Sequence, residues 1–447
     1  MHRSDGNRKF KPRLLLFSGL SLLVALILLS CSAVLPFVQK RDMESGLIAY
    51  IGVDGNIYTI NGNGTNPSAL TNDSRLSTFS EQNNRFYQFP AWSPDGSRVA
   101  FVGLSQKKGH DQEFSIFTAA PDGSDRVEVF KDENETPFYL YWSPDSTQLS
   151  FLTAGGNEND LALRLVPARG GEAQVVEIGA PIYWAWSPDN SKILIHTGGA
   201  WKYQPKARVA LLDMTGKADG ALLSLHPSFF QAPDWSSDGD QLLLAAETEA
   251  GKGDLLLTDS EGQVKESIAH VDGSIAFSWS PDSKYLAYSV GKMVNPEGSY
   301  KRLTVLDPEH PERAITLPEN LVLGFFWSPD SRKLAYFVPD VSVRGSEDVS
   351  TRQQVQKRVL LQLRILDVNS GDVRQVGKFR PTNEFISILP FFDQYQRSAT
   401  IWSPDSQKLV LSGKDEQENP KIYVAAASGN SPIQEIADGY LAFWSWK

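Results

Sequence analysis

Short apolar runs recur along the chain at nearly regular intervals: RVAFVG, QLSFLT, KILIHT, QLLLAA, YLAYSV, KLAYFV and KLVLSG. Each is followed by a second run, such as FSIFTAA, RVALLD, LTVLD or KIYVAA, and then by a third. Runs of about 4–8 residues bounded by Gly, Pro, Asp and Ser predict the strands of an antiparallel meander. Ahead of each first run stands W-S-P-D or a near copy, with its tryptophan at Trp92, Trp142, Trp186, Trp235, Trp279, Trp327 and Trp402. These are spaced 50, 44, 49, 44, 48 and 75 residues apart. A period of about 45–50 residues is that of a propeller blade or a solenoid unit, and the strand-type runs exclude a helical solenoid.

The motif has the chemistry of a hairpin turn. Proline presets φ at the first corner, and aspartate can accept a bond from the backbone two residues on. Gly, Asn or Ser follows where the chain needs a left-handed residue. The tryptophan ends the preceding strand, where a large ring can bury itself between neighbouring sheets. At the C-terminus, GYLAFWSW (Gly439–Trp446) is an eighth copy of the first strand with Trp444, but no turn follows it. The matching later strands stand at the start of the repeat region, in GLIAYIGVDGNIYTINGNG (Gly46–Gly64). Docking the last strand beside Leu47–Tyr50 closes a ring without a free sheet edge. The predicted fold is therefore all-β, an eight-bladed β-propeller of four-stranded antiparallel blades over 46–447. Seven blades are the alternative if the 75-residue interval hides a degenerate copy or one repeat forms no blade.

The W-S-P-D-G/S signature, with its following apolar strand, resembles the TolB-type subclass of β-propeller repeats. Such repeats are also found in the propeller domains of the prolyl oligopeptidase and dipeptidyl peptidase family. The resemblance covers nearly all of the chain after Gly46 and implies a propeller. The chain departs from TolB in leaving no room for the α/β domain that precedes that propeller, so interactions of that domain do not transfer.

The first 45 residues read differently. A basic tail, 1–13, precedes an uncharged, mostly apolar segment, 14–38, and a short linker, 39–45. Twenty-five such residues suffice to span a membrane, where about 20 are needed, and the basic flank orients the repeats to the extracytoplasmic side. LLSC at Leu28–Cys31 resembles a lipobox, so lipidation at Cys31 is the alternative tether, and cleavage with secretion a third. Each route places the body outside the cytoplasmic membrane.

Charge and composition narrow the function. The first 45 residues hold seven Lys/Arg against three Asp/Glu, leaving the rest with 36 against 50, a net −14. An acidic body repels phosphate backbones, which argues against nucleic acid. One cysteine allows no intrachain disulfide. There is no G-x-S-x-G elbow. His110, His196, His226, His270 and His310 form no metal-binding pair, so no cofactor or metal is implied. Polar groups assembled across a propeller mouth to act on an envelope or extracellular polymer remain the alternative.

Loop length points to a binding face. The W-S-P-D turns are short, whereas long connections at Thr71–Arg85, Leu104–Glu113, Gly198–Lys206, Gly291–Lys301, Pro339–Arg358 and Arg380–Gln396 fall on the opposite face. The last carries Phe385, Phe391, Phe392 and Tyr395, too apolar for a solvated loop; it either packs on the propeller rim or presents a partner site. About five residues before each tryptophan, Tyr87, Phe138, Tyr183, Phe230 and Arg397 are expected at the mouth. The resulting expectation is a membrane-tethered, noncatalytic scaffold that binds an envelope protein, peptide or glycan. The sequence sets no oligomeric state.

Overall fold

A computed structural model describes residues 46–76, 83–106, 112–155, 160–216, 220–229, 231–248, 253–295, 298–319, 321–340 and 359–447, without side chains over 292–301. The apolar segment 14–38, Cys31, Phe230 and residues 341–358 lie outside these. Among the described residues no helix is long and apolar enough to cross a membrane.

Five separate four-stranded antiparallel sheets cover 84–132, 136–179, 182–222, 234–271 and 274–316. A ten-stranded sheet takes the remainder, running from Gly324–Trp327 through to Gln434–Trp444 and on to Leu47–Gly52, Ile57–Asn61 and Ser68–Ala69. Its length has two causes. Arg380 and Pro381 pair with Lys414 and Gly413, and the 11-residue strand Gln434–Trp444 serves two partners, Pro420–Ala426 with its first half and Leu47–Gly52 with its second. The second pairing sets Ile48 against Trp444 and Tyr50 against Ala442. This is the closure expected from the sequence.

The W-S-P-D turns follow their chemistry closely. Each aspartate accepts from the motif serine hydroxyl at 2.6–2.7 Å, from Ser93–Asp95 to Ser403–Asp405. It also accepts from the backbone N–H two residues on. The next residue is left-handed in all seven: Gly96, Ser146, Asn190, Gly239, Ser283, Ser331 and Ser406, with φ between 58° and 79°. Where it has a side chain, that side chain reaches the preceding turn. Ser146 accepts from Asp95 N–H, Asn190 from Asp145, Ser283 from Ser237, Ser331 from Asp282 and Ser406 from Asp330.

The tryptophans join neighbouring sheets as well. Trp142 donates its indole N–H to Ala91 O, Trp235 to Ala185 O and Trp402 to Phe326 O, each the residue just before the previous repeat's tryptophan. Trp92 donates in the same way to Phe443 O, which joins the first separate sheet to the last strand. Sheets bonded in succession, with the first joined to the last, make a closed ring. The body is a β-propeller.

Candidate functional site: a cleft beside a helical plug

The apolar connection 380–396 is not a loop. Thr382 accepts from Phe385 N–H at 3.2 Å and caps a short helix, α1 (Asn383–Ile388). A single 3-10 turn (Leu389–Phe391) leads into α2 (Phe392–Ser398). Phe385, Ile388, Leu389 and Phe392 are buried, and their spacing of three and four residues is that of one helical face.

Of the two expectations for this segment, it packs down on the propeller, though across the first strands of successive sheets rather than on the rim. Phe392 lies 4.7 Å from Phe325, centroid to centroid. Its ring stands about 3.0 Å from where a Cβ on Gly324 would be, so a side chain there would crowd the ring. Gln394 Nε2 donates to Tyr139 Oη at 2.7 Å and to Trp184 O at 3.0 Å, while its Oε1 accepts from Trp184 N–H at 3.1 Å. Asp393 accepts from Ala232 N–H, and Thr382 donates to Tyr440 O at 2.6 Å. α1 and α2 thus plug the ring's centre.

Arg397 was expected at the mouth on a strand entry. It lies on α2, with its side chain 8% exposed, and forms an ion pair with Asp234. Asp234 also accepts from Trp235 and Trp279 N–H, both at 2.9 Å. Burial pushes the Asp234 carboxyl above its ordinary value, against the pull of Arg397. Burial works against the Arg397 charge, but Asp234 and the nearby tyrosines hold its pKa above the ordinary one.

The other expected residues divide. Tyr183 is half-buried, and burial together with the Asp393 charge raises its phenol strongly. Tyr395 packs edge-on against Tyr139, and burial takes its phenol up to about 12. Phe138 is half-buried at the edge of this cluster. Phe391 is 48% exposed, whereas Phe392 is buried. Tyr87 is buried between Phe101 and Phe117, donates to Asp73 and accepts from Arg126, so it is packing as much as mouth. Phe230 lies outside the described residues.

Beside the plug, among the described residues, a cleft of about 490 Å³ opens between α1 and the strands Asn84–Trp92 and Gln434–Trp444. Phe86, Phe89 and Leu76 give it apolar walls; Gln88, Ser387 and Glu384 supply polar groups. Phe89 sits at φ +54°, at a shift in strand register between Gln88 and Ala91. Such a conformation is an outlier for a bulky residue, and a bulge of this kind re-aims a side chain. Tyr139, equally three residues before its tryptophan, has φ +48° at a matching shift, and its ring serves the plug.

Asp234, Gln394 and Phe89 escaped the sequence reading. Asp234 had a signal: the residue before each repeat tryptophan is otherwise Ala91, Tyr141, Ala185, Ser278, Phe326, Ile401 or Phe443, never a charge. Among the described residues no group of three His, Cys, Asp or Glu is placed to hold a metal ion.

No family model matches the chain, and no curated protein matches it. Among solved structures it is similar to TolB from Acinetobacter baumannii, at 14% identity over 78% of this chain and 84% of that one, with a TM-score of 0.36. It is similar also to the β-propeller domain of the Trilobed protease from Pyrococcus furiosus, at 12% identity over 79% and 86%, TM-score 0.39. An oligogalacturonate lyase from Vibrio parahaemolyticus matches at 14% identity over 86% and 98%, TM-score 0.49. These are likenesses of fold alone.

Proposed function

We propose that the chain is a membrane-tethered, extracytoplasmic scaffold of eight four-stranded blades that binds a protein segment, peptide or glycan without chemically changing it. In this count the seventh blade opens with the bridged residues Thr400 and Trp402, and the eighth joins the second half of Gln434–Trp444 to Leu47–Gly52, Ile57–Asn61 and Ser68–Ala69. Segment 14–38 is the tether, with Cys31 lipidation as its alternative.

The observation that carries the reading is the cleft. It has the volume of a small-ligand site, mixes aromatic walls with a few polar groups, and includes a residue held in an unfavourable backbone conformation, as functional sites often do. The test uses the full-length protein and a Gln88→Ala/Phe89→Leu variant, each incubated with an envelope extract. The wild type retains a molecule that the variant does not, and releases it with its mass unaltered. Equal retention by the variant contradicts the site; release of a shortened or eliminated product contradicts the noncatalytic reading.

A further inference from the structure

The cleft has one charged side chain among its lining residues, Glu384. Among the described residues this carboxylate has no ion-pair partner. A cation beside α1, Lys414 of the strand Lys408–Lys414, donates to Asn383 Oδ1 at 3.3 Å and pairs with Glu418. Phe86 and Phe89 line the same cleft as Glu384. An anion beside aromatic faces is the chemistry that receives an ammonium or guanidinium group, because the ring quadrupole and the carboxylate attract the same charge.

The strained strand positions supply a second argument. The bulge three residues before the tryptophan occurs at Tyr139 and at Phe89. At Tyr139 the re-aimed ring meets an occupant, the Gln394 amide and the Tyr395 ring of the plug. At Phe89 the half-buried residue packs against the core of the first two sheets and also lines the cleft. One sector of the mouth is thus filled by the chain's own segment, and among the described residues its neighbour, with the same bulge, borders the cleft.

We infer that this cleft receives a protein segment bearing a Lys or Arg side chain, with Glu384 pairing the charge and Phe86 and Phe89 covering the alkyl stem. The inference rests on the binding reading above and names its ligand class. A net −14 over 46–447 adds a long-range attraction for such a segment. A neutral glycan leaves Glu384 unpaired, and an anionic one is repelled.

The test is titration of the full-length protein in detergent with blocked pentapeptides, Ac-Ala-Ala-Lys-Ala-Ala-NH2 and its Arg, Gln and Glu counterparts, followed by calorimetry or ligand-observed NMR. Lys and Arg peptides are expected to bind at least tenfold more tightly than Gln, with Glu weakest. Glu384→Gln, at a helix surface, removes that preference and leaves the Gln peptide's binding unchanged. Phe86→Ala weakens all four. Equal binding of the four peptides, binding of none, or a preference that survives Glu384→Gln overturns the inference. The envelope-retention experiment does not depend on charge, so its outcome separates failure of the cation inference from failure of the cleft.

Discussion

At Ser146, Asn190, Ser283, Ser331 and Ser406 a left-handed backbone and an inter-turn hydrogen bond meet in one residue. Glycine satisfies the first need without the second, so Ser406→Gly isolates the bond to Asp330 N–H. It should lower stability by about 1 kcal/mol in urea unfolding; an unchanged midpoint means the inter-turn bond contributes nothing. The turn aspartates add a pH dependence. Serine hydroxyls chiefly hold Asp189 and Asp238 below the ordinary value of 3.8. At Asp95, Asp145 and Asp330 burial opposes the shift, but the same hydroxyls and N–H groups outweigh it. A carboxyl lowered in the folded state stabilises fully above 3.8 and loses that contribution as pH falls below it. Urea midpoints should therefore fall between pH 5 and pH 3, with a shallower slope in an Asp189→Asn/Asp238→Asn variant. The turn conformation was legible in the sequence because Pro, Asp and Gly/Asn/Ser each have a local mechanism. The bond to the neighbouring turn was not, since it depends on how two sheets lie together.

The helical plug shows what a repeat-based reading passes over. Thr382 as a cap and the 385, 388, 389, 392 spacing both announce a helix, yet in a chain of strands the segment reads as one more connection. Its destination was less legible still, because Gln394 finds Tyr139 and Trp184 across more than 200 residues. Arg397 gives this element its sharpest test. Arg397→Met leaves a carboxylate buried without its cation, which costs about 3–5 kcal/mol at neutral pH. Without Arg397 the Asp234 pKa rises further, and a raised folded-state carboxyl stabilises at low pH and loses that contribution as pH rises. The deficit of the variant relative to wild type should thus shrink from pH 7 to pH 4. A deficit independent of pH would show that Asp234 does not carry it.

For the whole molecule, the last strand binds the two ends of the repeat region together. Leu441, Phe443 and Trp444 are buried there against Leu47–Gly52. Losing a buried Phe or Trp each costs about 3–5 kcal/mol, against total stabilities of about 5–15 kcal/mol. Removal of residues 439–447 should therefore abolish cooperative unfolding; an intact transition near the wild-type midpoint would mean the ring holds without closure. Closure was readable from the complementary fragments at Gly46–Gly64 and Gly439–Trp446. The cleft was not, because its walls come from Phe89, Glu384 and Tyr440, and only the folded ring sets them side by side.

The central claim, that the cleft beside the plug is where this propeller meets its ligand, is tested most directly by photo-crosslinking in living cells. A crosslinking amino acid is placed in the full-length protein at Gln88 or Ser387 in the cleft, and at Ile178 or Tyr203 as exposed positions elsewhere. The account predicts one recurrent adduct from both cleft positions and none from the other two, with its mass identifying the ligand. An adduct from Ile178 or Tyr203 with none from the cleft would contradict it.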